Sequence, residues 1–206
     1  MSGVEKPNNI RAVLQQTLKP LKSKIAIATS GGIDSASLVM AAKDLDKKQT
    51  IVSFTFDDFE SHDFKSARLL AMHYDIDFLP VLLPSDQNEI VETVHYLIKE
   101  IKCKKKSAIE CMFPFVYLLK VLKENKIKTL VTGLAADGHF GLSKKAMIHY
   151  SKDDKKFKQL RQEYFSTYES AHIIRLYRLC HKNKIGLFNP YFHPWVFDLW
   201  IDKNWQ

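Results

Sequence analysis

Apolar and polar positions follow two different periods along this chain, and the switches between them outline a fold. In residues 8–22, Ile10, Val13, Leu14, Thr17, Leu18 and Leu21 recur at helical spacing, and Pro20 ends or kinks the last turn. Residues 24–29 read as a short buried strand. Residues 35–46 then read as a helix with Ala36, Leu38, Val39 and Ala42 inward. A second strand is predicted at 51–56. The acidic turn after it offers Ser61 or Asp63 as the cap of a helix that runs to about Tyr74 and buries Ala67, Leu70 and Ala71. A third strand is predicted at 76–83, and a helix at 85–101 with Ile90, Val94, Leu97 and Ile101 on one face. Lys102, Lys104, Lys105 and Lys106 read as a mobile loop. The next helix is expected to start near Pro114, whose missing N–H suits a first turn, and to run to about Asn125. Residues 127–132 form a fourth strand. Residues 153–184 are helical by pattern, the stretch 186–190 breaks it, and 193–203 forms a last helix carrying Trp195, Val196, Leu199 and Trp200.

Short apolar strands alternating with helices predict an α/β fold: a parallel sheet with helices on both faces. Ligands of such sheets bind at the carboxyl ends of the strands, where the loops 30–35 and 133–141 fall. The 206 residues suit one domain, with a core over about 20–142 and a helical C-terminal part over about 143–206.

Hydrophobic residues make up 46% and charged residues 26%, so a packed core is expected and wholesale disorder is not. No apolar run approaches the roughly 20 residues a bilayer span needs, and residues 1–6 carry no apolar signal region. A soluble, cytoplasmic protein is the expectation, with no membrane partner. Cys103, Cys111 and Cys180 are odd in number and form no C-x-x-C pair, which argues against a disulfide framework or a zinc ribbon. The net charge is +8, with basic clusters at 102–106, at Lys152, Lys155, Lys156, Lys158 and Arg161, and at Arg175, Arg178, Lys182 and Lys184. Such a surface is either a solvated lysine-rich face or an attractor of polyanions.

The chemistry concentrates in Ser30-Gly31-Gly32-Ile33-Asp34-Ser35. Two glycines after a strand let the backbone turn sharply and approach an anion closely. The amides of Gly31 to Asp34, the hydroxyls of Ser30 and Ser35 and the start of the following helix make an anion site. Asp34 would repel a phosphate there unless a cation lies between, and Mg²⁺ shared by a carboxylate and phosphate oxygens resolves the conflict. No Gly-Lys-Ser or Gly-Lys-Thr follows, so this is not a Walker loop.

This loop resembles the S-G-G-x-D-S signature of the PP-loop ATP pyrophosphatases. The stretch from Thr132 through Gly133, Leu134, Ala135, Ala136, Asp137, Gly138, His139 and Phe140 to Gly141 is similar to the S-G-E-G-A-D-E-L-F-G-G motif of the asparagine synthetase and β-lactam synthetase domain. The segment from Phe113 to Leu119 resembles that family's T-P-M-Y-L-L, and the segment from Asn189 to Pro194 lies where the family has R-x-P-F-L-D. The family's N-terminal glutaminase domain has no counterpart, since Met1 is followed by Ser2 rather than a nucleophilic cysteine.

The resemblance implies an adenine nucleotide alpha hydrolase-like (HUP) fold that binds ATP and Mg²⁺. Asp34 and Asp137 would hold the metal. Ser30, Gly31, Gly32, Ile33, Ser35 and Gly133 would cradle the phosphates, and the end of the second strand, with Phe54 and Phe56, would meet the adenine. A carboxylate or amide oxygen would attack the α-phosphate, pyrophosphate would leave, and a nitrogen nucleophile would displace AMP. Leu134, Gly138 and His193 depart from the family motifs. Arg178 falls near the family's essential lysine, where it would stabilise charge without acting as a proton donor. His139 and His193 have the titration range for acid–base roles, with a structural role as the alternative for each. Asp57 and Asp58 would touch ribose or metal, or serve a helix start.

Three functions follow as expectations. The first is an AMP-forming ligase or amidotransferase acting on a small-molecule acceptor, with ammonia from solution or from a separate glutaminase subunit. The second is an adenylating enzyme that modifies a tRNA or DNA base, and the third a non-catalytic nucleotide-binding protein.

Overall fold

Five strands form one sheet in the order β3-β2-β1-β4-β5, and every neighbouring pair is parallel. The computed structural model describes residues 9–137, 152–164 and 170–200. In chain order these give α1 (Ile10–Leu18), β1 (Ile25–Ala28), α2 (Ile33–Lys43), β2 (Gln49–Phe56), α3 (His62–His73), β3 (Asp77–Leu83), α4 (Gln87–Lys99), α5 (Lys106–Glu124) and β4 (Thr129–Val131). They continue with α6 (Asp154–Tyr164), α7 (Ser170–Lys182), β5 (Gly186–Phe188), a 3-10 turn (Pro190–Phe192) and α8 (Pro194–Trp200).

A strand in the middle of a parallel sheet is covered on both faces, so it cannot alternate between apolar and polar. The sequence Ile-Ala-Ile-Ala of β1 meets that requirement, with Ile25, Ala26 and Ile27 inaccessible to solvent. One face of the sheet is covered by α1, α2, α3 and α8 through Leu14, Leu18, Leu38, Val39, Ala67 and Val196. The other is covered by α4, α5 and α7 through Leu97, Met112, Leu118, Leu122, Leu176 and Leu179. Each fully buried side chain of this kind contributes about 1.5–3 kcal/mol. None of the described helices is long and apolar enough to cross a membrane.

Local signals set most boundaries. Asn9 caps α1 by accepting from Ala12 N at 2.9 Å, Ser61 caps α3 by accepting from Phe64 N at 3.1 Å, and Asp86 caps α4 by accepting from Glu89 N at 2.9 Å. Arg11 and Gln15 reach Asp44 at 2.7–2.9 Å and tie α1 to the end of α2.

Three expectations need correction. Helix α5 begins at Lys106 rather than near Pro114, so the lysine cluster runs into a helix and Pro114 lies inside it. A proline in a helix interior costs about 3 kcal/mol. Met112, Phe115, Leu118, Leu119 and Leu122 are all buried along this helix, and their combined burial outweighs that cost. Second, residues 186–188 form a strand where the pattern reads as a break. Its three residues are too few to show a period, and parallel pairing with β4 alone defines it. Third, α2 begins at Ile33, so Asp34 and Ser35 occupy the first helical turn. The stretch 153–184 holds two helices, and the end of the last helix lies outside the described residues.

Candidate functional site

The connections from β1 and β4 leave toward opposite sides, because β1 leads through α2 to β2 while β4 lies on β1's other flank. The strand order therefore reverses between β1 and β4, and the crevice above their carboxyl ends is where such sheets hold ligands. The glycine loop follows β1 and the segment 132–137 follows β4, so both open into this crevice.

Backbone constraints explain the glycines. Gly31 has φ +76°, and a Cβ there would stand 2.4 Å from Ser66 Cβ. Only a residue without a side chain takes this turn so close to α3. Gly32 caps α2 without any side-chain hydrogen bond to the first turn. Its own N–H donates to Ser30 Oγ at 3.3 Å, and Ser35 Oγ donates to Gly32 O at 3.1 Å. The uncapped amides at the start of α2 remain available to an anion. Gly133 brings the second loop in: a Cβ on it would lie 3.6 Å from Ser35 N and 3.8 Å from Asp34 Cβ, in ordinary contact with the first loop.

A cavity of about 810 Å³ spans both loops, toward the upper end of the roughly 300–1,000 Å³ of small-molecule sites. Ser30, Gly32, Asp34 and Ser35 line it from the first loop, and Gly133, Leu134 and Asp137 from the second. From the end of β2 come Phe54 and Phe56, 37% and 43% exposed, joined by Phe59 at 64%. The turn that presents Phe59 is braced by Thr55, whose hydroxyl donates to Phe59 O and accepts from Ser61 N at 3.2 Å. Large aromatics held open to a cavity suit a flat ring to stack on them. The opposite wall is α5, where Glu110, Phe113 and Pro114 face the cavity. No lysine or arginine lines it among the described residues.

Asp34 and Asp137 meet in this cavity. Burial raises the Asp34 carboxyl above its ordinary range, and the charge of Asp137 raises it further. No basic side chain pairs with either among the described residues. Two facing carboxylates without a counter-charge fit a Mg²⁺ ion, which takes one or two carboxylates and completes its shell with water and phosphate oxygens. No cluster of three or more acidic, histidine or cysteine ligands exists among the described residues, so of these the two aspartates are the side chains that would hold it.

Other sequence candidates lie elsewhere. Ile33 is 81% exposed beside the loop and points away from the core. Arg178 does not line the cavity; its guanidinium donates to Ile101 O at 3.0 Å, in the connection between α4 and α5. His193 accepts from Trp195 N at 3.3 Å and packs against that indole with ring centroids 5.0 Å apart, as the start of α8 requires. Asp57 and Asp58 are exposed in the turn after β2, while Ser61 caps α3. His139 and Gly138 lie outside the described residues. Cys103 and Cys180 are buried, and burial pushes the Cys180 thiol up to about 12.

Sequence reasoning missed Tyr191. Its side chain is 1% exposed, and its hydroxyl donates to the backbone carbonyl of Asp34 at 3.0 Å, across 157 positions of sequence. Burial raises its phenol well above the ordinary value, as does the charge of Asp34, so it remains a donor. The segment 189–194 pointed to this neighbourhood, but nothing local tells that a tyrosine there props the glycine loop.

Residues 10–195 match the family model described as asparagine synthase. No curated protein matches the chain. Among solved structures, the U34-tRNA thiolase NcsA from Methanococcus maripaludis, determined with its [4Fe-4S] cluster, aligns at 16% identity and a TM-score of 0.46. That alignment covers 92% of this chain and 61% of the thiolase, so the chain spans less than two thirds of that protein's length.

Proposed function

Because the chain belongs to the asparagine synthase family over residues 10–195, we propose that it is an ATP pyrophosphatase-type enzyme that adenylates an acceptor oxygen and passes the activated group to a nitrogen nucleophile. The observation that carries this reading is the pair Asp34 and Asp137, brought together beside the uncapped start of α2 at the point where the strand order reverses. In this reading the amides of the first helical turn and the Ser30 and Ser35 hydroxyls hold the β- and γ-phosphates of ATP. Phe54, Phe56 and Phe59 form the surface against which the adenine lies. Asp34 and Asp137 would hold Mg²⁺, which supplies charge neutralisation for the triphosphate and for the leaving pyrophosphate.

The acceptor, a carboxylate or amide, enters from the side of Leu134 and α5. Its oxygen attacks the α-phosphorus, the bond to the bridging oxygen breaks, and pyrophosphate departs. A nitrogen nucleophile then adds to the activated carbon and AMP leaves. Ammonia reaches this step from solution or from a separate glutaminase. Leucine at position 134 cannot exchange a proton, so the nucleophile arrives already neutral or loses its proton to water. A nucleic-acid acceptor is less well supported, because no lysine or arginine lines the cavity among the described residues.

Pyrophosphate release from ATP, screened over carboxylates, amides and short RNA with and without ammonium, tests the reading. Release should require Mg²⁺ and a cognate acceptor, and Asp34→Asn and Asp137→Asn should each abolish it. Release undiminished in both variants would overturn the assignment.

A further inference from the structure

Two basic stretches far apart in the chain, 102–106 and 175–184, stand outside the cavity, and none of their lysines or arginines lines it. The fold brings them together. Arg178 of α7 donates to Ile101 O at 3.0 Å, and Lys182 Nζ meets Glu100 Oε2 at 2.7 Å, so α7 lies against the connection between α4 and α5. Burial raises the Cys103 thiol, and the charges of Arg175 and then Arg178 act against it, so both guanidiniums lie close to Cys103. Its neighbours in the chain are Lys102 and Lys104. Ile101 and Cys103 are buried, whereas Lys102, Lys104 and Lys105 are exposed. The two buried residues anchor this connection to the core, and its lysines are left outward beside the arginines. Glu100 and Glu110 offset part of the charge, through Lys182 at 2.7 Å and Lys106 at 3.6 Å. Lys102, Lys104, Lys105, Arg175 and Arg178 add their positive charges to the same flank.

Helix α7 supplies what a merely solvated lysine face lacks. Its inner side, with Leu176, Leu179 and Cys180, is buried. On its outer side Ile174, Tyr177 and His181 are spaced three and four apart, which puts them in one exposed row. Tyr177 is 59% exposed, and its ring stacks on the His181 imidazole with centroids 6.2 Å apart and planes 25° apart. Arg178 follows Tyr177 and Lys182 follows His181, so a row of cations runs beside the row of rings. Rings open to solvent beside cations suit a chain of unstacked bases joined by phosphates, where bases stack on the rings and cations hold the backbone. An acidic peptide would use the charges and leave the rings idle.

We infer that this flank binds a single-stranded nucleic acid, with Tyr177 and His181 as the stacking platform and Lys102, Lys104, Lys105, Arg175 and Arg178 on the phosphates. The surface stands outside the cavity and owes nothing to the adenylation reading. It does reach the cavity's edge, because Glu110, the ion partner of Lys106, is part of the cavity wall. A strand laid along the lysines is thus docked beside the mouth without entering it.

Fluorescence anisotropy on the full chain, with labelled single-stranded RNA and DNA of about 12 nucleotides, tests this surface. At least one strand should bind, and the tighter of the two names the source. Log affinity should fall against log salt with a slope of about −3.5 for five phosphates, read between about 50 and 200 mM. Lys102→Gln, Lys104→Gln and Lys105→Gln combined should make the slope shallower by about 2. Lys22→Gln, Lys48→Gln and Lys65→Gln combined, all exposed and outside α4, α5 and α7, remove the same charge and should leave the slope as it is. Tyr177→Ala should weaken binding at least about fivefold with the slope unchanged, while Tyr177→Phe keeps the parent affinity. Circular dichroism checks the folding of each variant. Failure of both strands to bind at micromolar protein, tighter binding of a polyglutamate peptide, equal effects of the two lysine triples, or parent-like binding by Tyr177→Ala would overturn the inference. So would a loss of MgATP affinity in the variant at 102, 104 and 105, measured by calorimetry, since these lysines would then serve the triphosphate.

Discussion

Gly31→Ala inserts one methyl group where the backbone has φ +76° and an ideal Cβ stands 2.4 Å from Ser66 Cβ, 2.9 Å from Ser66 C and 3.0 Å from Ala67 N. Two costs add. A left-handed conformation costs an L-residue about 1–2 kcal/mol. Forcing an extra carbon into a packed site costs about 1–3 kcal/mol more. The neighbours cannot yield cheaply, since they are a Cβ and backbone atoms rather than the end of a flexible side chain. Ala67 is fully buried and α3 is fixed by its Ser61 cap. The strain is relieved either by moving α3, which loses stability, or by moving the loop, which spoils the anion site. Urea unfolding followed by circular dichroism should show a loss of about 2–5 kcal/mol, and calorimetry should show MgATP affinity lower by about tenfold or more. Adding Ser66→Gly removes the 2.4 Å contact while leaving the φ strain and the backbone contacts. The double variant should therefore regain roughly 1 kcal/mol beyond the sum of the single effects, read from a double-mutant cycle. Stability within about 0.5 kcal/mol of the parent, together with unchanged MgATP binding, would refute this account of the loop.

Three further outcomes are expected. The Asp34 carboxyl is held above its ordinary range by burial and then by Asp137. The fold thus favours its protonated form, and the cost of ionising it grows as pH rises from the ordinary carboxylate range through the raised value. Asp34→Asn in metal-free buffer should raise Tm at pH 8 and leave it unchanged at pH 3; because Asp34 stays partly open to water the gain should be roughly 1–2 °C, and a fall at pH 8 in calorimetric scans would contradict it. Tyr191→Phe removes the hydroxyl that holds Asp34 O, so urea midpoints should report a loss of about 1–2 kcal/mol, and MgATP binding should weaken several-fold. Pro114→Ala restores an N–H opposite the Glu110 carbonyl inside α5 and should stabilise the chain by about 1–3 kcal/mol; no gain would mean that this carbonyl already has another partner.

Much of this molecule was readable before its structure. The strands β1 to β4 and helices α1 to α4 announced themselves because burial on one or two faces leaves a period in the sequence, and the glycine loop because its residue types are demanded by a sharp turn. What stayed hidden has a common cause. Pro114 reads as a helix start by local propensity, and only the apolar stripe from Ala108 to Leu122, packed in the tertiary structure, overrides it. Strand β5 is defined by its pairing with β4. Tyr191 reaches Asp34 from the far end of the chain. Asp34 and Asp137 were chosen by motif, yet their mutual influence is a property of the closed sheet. The departures at Arg178 and His193 likewise follow from partners, Ile101 O and Trp195, that no local pattern names.

The hydroxyl that steadies the glycine turn belongs to a residue synthesised 157 positions after Asp34. On a ribosome the turn emerges together with β1 and α2, while Tyr191 is still to be made. N-terminal segments of a growing chain begin to fold before the remainder exists. A nascent chain stalled before position 191 would therefore carry the turn without its prop and β4 with an unpaired edge. Affinity for a nucleotide should rise several-fold once the segment carrying Tyr191 has cleared the exit tunnel and its hydroxyl reaches the Asp34 carbonyl.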